Sequence, residues 1–98
     1  MSNQELNFLH TLEKVIIDRL ENPDARSYTS SLAASGDMRI AQKVGEEAVE
    51  LALASVAGDH DETLNEAADL LYHLLILLNQ KGMRLADVVA TLEDRHTN

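Results

Sequence analysis

Cysteine and tryptophan are absent from this chain of 98 residues, which contains one proline, four glycines, one phenylalanine and two tyrosines. Without cysteine the chain has no disulfides and no thiolate metal sites, which fits a reducing compartment. Helix breakers are few, and a core with so few rings has to be built from leucine, alanine and valine. We therefore expect one small all-α domain that covers residues 1–98.

A long hydrophobic run is also missing, because the longest apolar stretch, Leu74–Leu78, is far shorter than a membrane-spanning helix. The N-terminus is polar and lacks the architecture of a signal peptide. Basic residues are scarce, with 8 Lys and Arg against 17 Asp and Glu, and the formal net charge is −9. Nucleic-acid binding normally needs a basic face, so we expect no nucleic-acid partner. The missing hydrophobic run and signal peptide lead us to expect a cytoplasmic protein that does not bind membranes.

Helical periodicity is the main signal that the chain does contain. The segment 26–36 is rich in Ser and Thr and is predicted to be a loop with a short helical turn. Asp37 is expected to cap the helix that follows, and Gly58 to end it. The four predicted helices cover Asn3–Glu21, 37–57, 59–81 and 85–92.

The third predicted helix is apolar nearly all round between Leu70 and Leu78. A helix of this kind is enclosed on every side, and four helices in so short a chain cannot easily enclose it. We therefore expect a homodimer, in which a second subunit completes a bundle of four to five helices. Tyr72 is expected in the core or at the interface, and Asn79 at the solvent or the dimer seam.

Two acidic clusters interrupt the apolar stripes of the second and third helices. In Glu46-Glu47-x-x-Glu50 and in Glu66-x-x-Asp69, carboxylates three residues apart lie on the same side of a helix. Burying that much negative charge is costly unless a cation is present, and ligands that are all oxygen suit Mg²⁺, with Mn²⁺ as a substitute. The four carboxylates that two packed helices would bring to one centre are Glu47, Glu50, Glu66 and Asp69.

Interpretations other than a magnesium site exist for these acids. A solvated acidic face with a pair such as Lys43 and Glu47 is common on helices, but here the acids interrupt the apolar stripe. Di-iron bundles need Glu-x-x-His pairs, and the chain has none. An EF-hand that starts at Asp59 would need Gly and Glu where Leu64 and Leu70 stand. A non-catalytic helical dimerisation module, with acids that serve solubility, is the alternative from a different class.

Two longer strings carry a family resemblance: residues 40–50, IAQKVGEEAVE, and residues 65–75, NEAADLLYHLL. Together with residues 27–36 they resemble the phosphoribosyl-ATP pyrophosphohydrolases of the MazG-like all-α superfamily, over about residues 9–96. The resemblance implies a dimeric, Mg²⁺-dependent enzyme of the second step of histidine biosynthesis. Such an enzyme hydrolyses the α–β phosphoanhydride of phosphoribosyl-ATP to phosphoribosyl-AMP and pyrophosphate. The nearest rival is a related enzyme that cleaves NTPs or dNTPs to monophosphates.

The resemblance also implies roles for individual residues. Metal ligation falls on Glu47, Glu50, Glu66 and Asp69. The expected catalytic residues are Glu46, Glu47 and Lys43, with Glu46 orienting or deprotonating the attacking water. The expected substrate-binding residues are Tyr28, Thr29, Arg39 and Lys43.

Several of these assignments have a structural alternative. For Lys43, a phosphate contact and a helix ion pair with Glu47 are equally favoured, whereas for Arg39 the ion pair is favoured. His73 stands alone on an apolar face and is expected to be a hydrogen-bonded core residue. Ser31 departs from the family pattern, because members often carry Lys at this position, and a basic contact to phosphate would have to come from elsewhere.

Overall fold

The computed structural model describes residues 3–96, and within that range it contains five α-helices and no strand. The helices are α1 Asn3–Glu21, α2 Tyr28–Ala34, α3 Asp37–Ala57, α4 His60–Gln80 and α5 Leu85–His96. In the described part of the chain, a search for a helix that could span a membrane found none. The prediction of an all-α bundle is confirmed, with the larger of the two helix numbers expected.

The start of the bundle differs from the sequence prediction at two points. The Ser/Thr-rich segment holds a seven-residue helix, α2, which Ser27 caps by accepting a hydrogen bond from the Ser30 N–H. Asp37 is the first residue of α3 and not its cap. The cap is Gly36, whose φ of 100° suits glycine and which makes no side-chain cap bond. The composition of the segment therefore did not reveal that α2 begins after Ser27 or that the turn before α3 depends on Gly36.

The hairpin of α3 and α4 follows the sequence signals closely. Gly58 ends α3 in the left-handed conformation, with φ of 79°. Asp59 caps α4, because its carboxylate accepts a hydrogen bond of 3.0 Å from the Glu62 N–H. Only these two residues separate the helices, which therefore pack as antiparallel neighbours and form the most extensive helix–helix contact of the molecule.

The core is aliphatic, as the composition predicted, and α1 and α2 pack over the hairpin to form it. Its buried cluster consists of Ile16, Leu32, Ile40, Leu75 and Ile76. Helix α5 has no buried residue and reaches the core through the partly buried Leu85. Asn79, which was expected at the surface, is buried.

The apolar part of α4 is more enclosed within one chain than predicted. His73, Leu75, Ile76 and Leu78 are already buried without a second subunit. Large apolar side chains stay exposed on several helices, and on α3 they are Val49, Leu53 and Val56, which are 60%, 66% and 89% exposed. The enclosure of α4 therefore depends less on a second subunit than predicted, and homodimerisation itself stays a prediction.

Candidate metal centre

The α3–α4 hairpin brings the two acidic clusters together. Glu47 lies on α3, whereas Glu66 and Asp69 lie one turn apart on α4. One carboxylate oxygen from each of these three residues lies within 4.8 Å of the other two. Glu47 is buried, Glu66 is half-buried and Asp69 is exposed, so the group forms an open-sided cluster at the edge of the core. Such a group of oxygens could hold a metal ion.

Glu66 shows most directly that the carboxylates of the cluster crowd one another. Its Oε2 atom is buried and has no hydrogen-bond partner among the described residues. The Glu50 side chain, followed by burial and then by Glu62 and Glu47, raises the pKa of Glu66 from 4.5 to about 8. The donor set is entirely carboxylate, and one of its oxygens has no partner. A hard divalent cation would satisfy that oxygen and displace the proton.

Glu47 is the most deeply placed carboxylate of the cluster, and two basic groups face it. Lys43 Nζ lies 3.4 Å from Glu47 Oε1, and His73 Nδ1 lies 3.8 Å from the same oxygen. Burial lowers the pKa of Lys43, but Glu47, Tyr28 and Glu46 outweigh it, so that this pKa is raised above its usual value. Lys43 therefore keeps its positive charge beside the acids, in the ion pair that was one of its two predicted roles.

His73 joins α4 to the first turn of α2. Its Nδ1 atom lies 2.8 Å from the main-chain oxygen of Asp69, and its Nε2 atom lies 2.7 Å from the hydroxyl of Tyr28. The ring is buried, so the expectation of a hydrogen-bonded core histidine is confirmed. Next to it, the hydroxyls of Thr29 and Tyr72 are hydrogen-bonded to each other. Thr29 is buried and Tyr28 is half exposed.

The remaining predicted residues lie on the outer surface of α3 and α2. Glu46 is exposed and pairs with Arg39, whose Nη1 atom is 3.6 Å from Glu46 Oε1. Glu50 is exposed as well, although it is close enough to Glu66 to be the main cause of the raised pKa of Glu66. Ser31 is exposed on α2. The structure therefore brings Glu47, Glu66 and Asp69 together, sets Glu50 beside them and leaves Glu46 in an ion pair.

Two contributors to the site were not singled out from the sequence. Glu62 lies one turn before Glu66 and helps to raise its pKa, and its spacing of four residues from another acid was a readable signal. The bond between Tyr28 and His73 joins residues 45 positions apart, and no local pattern announces such a contact.

Comparison with known proteins gives a consistent result. Residues 9–96 match the family described as phosphoribosyl-ATP pyrophosphohydrolase. The histidine biosynthesis bifunctional protein HisIE of Vibrio cholerae is 50% identical over 92 residues, which are 94% of this chain and 44% of that protein. Its counterpart in Escherichia coli is 51% identical over 89 residues, which are 91% of this chain and 44% of that protein. The chain thus spans less than half the length of these curated relatives. From the match over residues 9–96, the chain belongs to the phosphoribosyl-ATP pyrophosphohydrolase family.

Proposed function

We propose that this chain hydrolyses the α–β phosphoanhydride of phosphoribosyl-ATP and releases phosphoribosyl-AMP and pyrophosphate, the second step of histidine biosynthesis. The observation that carries the proposal is the family match over residues 9–96. The relatives in Vibrio cholerae and Escherichia coli, which are named for histidine biosynthesis, support the pathway. The convergent carboxylates of α3 and α4 supply a centre suited to phosphate chemistry.

We propose Mg²⁺ as the metal, with Mn²⁺ as a substitute. Glu47, Glu66 and Asp69 would hold it, and Glu50 would join them from the next turn of α3. A bound divalent cation neutralises phosphate oxygens and lowers the pKa of water. Support comes from the partnerless oxygen of Glu66 and from a donor set made only of carboxylates.

The side chains around the carboxylates would position the substrate. Lys43 keeps its charge at the edge of the cluster and can turn from Glu47 to a phosphate oxygen, so that it stabilises charge there during the reaction. Arg39 is exposed on the same helix and can supply a second cation to the phosphates. Glu46 is exposed beside Arg39, and we propose that it orients or deprotonates the attacking water.

The first turn of α2 would form the other wall of the site. Tyr28 is half exposed and reaches His73, which lies against the carboxylate cluster, and its ring is available to the nucleotide. The Thr29 hydroxyl is buried and bonded to Tyr72. Thr29 would therefore contribute by holding α2 in place more than by touching the substrate.

The chain is also proposed to act as a cytoplasmic homodimer whose 1–98 segment is a single domain. The exposed Val49, Leu53 and Val56 on α3 form an apolar surface that a second copy could cover. The Cα radius of gyration is 14.7 Å, whereas a compact domain of this length has about 13 Å. A surface this open for its length favours association, and analytical ultracentrifugation at several concentrations would test it.

The decisive experiment measures pyrophosphate release by the purified chain with Mg²⁺, comparing phosphoribosyl-ATP with ATP and a panel of dNTPs. We expect phosphoribosyl-ATP to be preferred, and release to stop when the metal is removed with EDTA. Preference for a dNTP would overturn the substrate while leaving the metal chemistry in place. Absence of release with every substrate would favour a helical dimerisation module over an enzyme.

A further inference from the structure

Both nitrogens of the His73 imidazole form hydrogen bonds. The chemistry of one partner determines which nitrogen donates and which accepts. The main-chain oxygen of Asp69 can only accept a hydrogen bond, so His73 Nδ1, at 2.8 Å, carries the proton. A neutral imidazole carries a single proton. In the neutral ring Nε2 is an acceptor, and the Tyr28 hydroxyl, at 2.7 Å, therefore donates to it.

This direction of donation decides what Tyr28 offers to a ligand. A phenol has one proton, and here that proton points inward to His73, so only oxygen lone pairs remain for the half-exposed side. The ring has little freedom to turn, because it stacks on Tyr72 at a centroid distance of 6.3 Å and meets His73 edge-on at 5.7 Å. Tyr28 therefore presents an acceptor in a fixed direction.

The same imidazole lies against the acidic cluster on its other side. His73 Nδ1 is 2.8 Å from the Asp69 main chain and 3.8 Å from Glu47 Oε1. One ring thus separates Tyr28 from two of the residues proposed to hold the metal. A ligand whose phosphates lie at the carboxylates would place its neighbouring sugar or base within reach of Tyr28.

We propose that His73 is a positioning residue that makes Tyr28 an acceptor for a hydroxyl or amino group of the nucleotide and not a phosphate contact. Phosphate oxygens carry negative charge and only accept, so an acceptor-only phenol oxygen repels them. A ribose hydroxyl or a base amino group donates and matches it. The inference deepens the proposed function and rests on it for the identity of the nucleotide. Lys43 and Arg39 are left as the phosphate partners.

The α2 helix is held in place independently of this bond, which makes the inference testable. Ser27 caps the helix, and the Ser30 hydroxyl donates to the main-chain oxygen of Arg19 at 2.8 Å. The Asp69 carbonyl lies inside α4, where the N–H four residues on also bonds it. Tyr28→Phe therefore removes the Tyr28–His73 bond, and His73→Leu removes that bond and the one to the Asp69 carbonyl, while the helices on both sides keep their anchors.

The activity test compares inhibition by the two products in the wild-type chain, in Tyr28→Phe, in His73→Leu and in the double variant. Phosphoribosyl-AMP carries hydroxyl and amino donors, so its inhibition constant should rise about fivefold in Tyr28→Phe, the value of one neutral hydrogen bond, and by a smaller factor in His73→Leu, which keeps the hydroxyl but frees its proton. The double variant should be no worse than Tyr28→Phe, because His73 acts on the ligand only through the Tyr28 hydroxyl. The inhibition constant of pyrophosphate, which has no such donors, should stay within about twofold.

Results of two kinds would overturn the proposal. An equal rise in the inhibition constants of pyrophosphate and phosphoribosyl-AMP would mean that Tyr28 contacts the phosphates. Multiplication of the two single effects in the double variant would mean that His73 and Tyr28 act separately. His60→Gln changes an exposed histidine at the first residue of α4, whose Nδ1 lies 3.9 Å from Asp61 Oδ1, and serves as the matched control. Unfolding in urea, measured in parallel, separates these effects from loss of stability.

A spectroscopic arm tests the hydrogen bond without any substrate. The ¹⁵N shifts of the His73 imidazole should report a protonated Nδ1 and a hydrogen-bonded acceptor Nε2. Tyr28→Phe should move the Nε2 signal toward that of a free acceptor, whereas Tyr72→Phe, which removes the neighbouring bond to Thr29, should leave it in place. A proton on Nε2 would overturn the proposal. Correct shifts in a chain that releases no pyrophosphate from phosphoribosyl-ATP would show that the proposed function had failed and the His73–Tyr28 bond had not.

Discussion

Two buried glutamates, Glu13 on α1 and Glu47 on α3, have nearly the same exposure, at 7% and 6%, and opposite surroundings. Glu13 Oε2 accepts hydrogen bonds from Asn79 Nδ2 at 3.0 Å and from the Leu85 N–H at 2.8 Å. Glu47 has Lys43 at 3.4 Å on one side, but Glu66 and Asp69 crowd it on the other. Burial alone therefore does not identify a functional acid.

The surroundings of Glu13 describe a structural carboxylate. It ties α1 to the first residue of α5, and Asn79 extends the network by donating to the Leu75 main-chain oxygen and accepting from Arg84 Nη1, each at 2.8 Å. Donors of this kind offset the cost of burying the charge. Around Glu47 the nearest groups include other acids, and the buried oxygen of Glu66 has no partner. A buried acid crowded by other acids could hold a cation from outside the chain, whereas Glu13 has its donors within the fold.

The largest effect should come from neutralising the acidic cluster. Glu47→Gln and Asp69→Asn should each lower Mg²⁺-dependent turnover by about 10³-fold, since a metal contributes several kcal/mol of charge stabilisation. The metal-free fold should be as stable as wild type or more so, because repulsion between carboxylates is relieved. Pyrophosphate release and urea unfolding measure the two effects. Near-normal turnover in both variants would show that these carboxylates do not hold a catalytic metal.

Removing Glu13 should produce the opposite pattern. Glu13→Ala leaves the partly buried Leu85 N–H and one N–H of the buried Asn79 amide without an acceptor, so the free energy of unfolding should fall by about 3 kcal/mol. Turnover per folded molecule should stay close to that of wild type. Urea unfolding at matched protein concentration provides the measurement, and Glu13→Gln, which keeps an acceptor oxygen, should lose about 1 kcal/mol. If Glu13→Ala strongly lowered turnover and left stability unchanged, Glu13 would have a functional role like the one proposed for Glu47.

The contrast should also appear as a pH dependence of metal binding. Because the pKa of Glu66 is raised to about 8 in the metal-free fold, Mg²⁺ has to displace a proton below that pH. The Kd for Mg²⁺ should fall about tenfold per pH unit as pH rises from 6 to 7, and level off above pH 8. Calorimetry in buffers of different ionisation enthalpy measures the released proton. In Glu66→Gln the slope should flatten, and an unchanged slope there would assign the proton to another group.

Raising the pH should strengthen Mg²⁺ binding but should lower the stability of the metal-free fold. A carboxyl whose pKa rises from 4.5 to about 8 on folding binds more protons in the folded chain, so its contribution is complete below pH 4.5 and is lost as pH rises through about 8. Without metal, wild type should therefore lose stability relative to Glu66→Gln over this interval. Saturating Mg²⁺ should cancel the loss, because the cation stabilises the ionised form.

The smallest effect should come from the exposed ion pair between Arg39 and Glu46. Arg39 and Glu46 are both about half exposed and 3.6 Å apart, so Arg39→Gln should change the free energy of unfolding by less than about 0.5 kcal/mol. Thermal unfolding of the two chains side by side measures this. A loss above about 1 kcal/mol would mean that Glu46 serves the fold, and its proposed work on the water would lose support.

Much of the hairpin was predictable because its signals are local. The end of α3 at Gly58, the start of α4 after Asp59 and the alignment of Glu66 with Asp69 each follow from residues within one or two turns. The convergence of the two acidic clusters needed one further step, the packing of neighbouring helices joined by a short turn. That step is nearly forced when two residues connect them.

The parts that escaped prediction depend on partners far away in the chain. Asn79 has an ordinary polar side chain at the end of an apolar helix, and its burial depends on Glu13, 66 positions earlier. Helix α2 was hidden by serines, which are common in loops and at helix starts alike. The exposure of Val49, Leu53 and Val56 on α3 was not predicted, because the way α1 and α2 pack on the hairpin cannot be read from one helix alone.

The shortness of the α3–α4 turn has a consequence for how the centre assembles during folding. The three grouped carboxylates lie within the segment 47–69, so a single helical hairpin gathers them. Closing so short a loop loses little chain entropy, and local contacts of this kind form early in small helical proteins. The carboxylate cluster can therefore take shape before α1 and α5 dock, and a cation that binds it could do so while the rest of the chain is still folding.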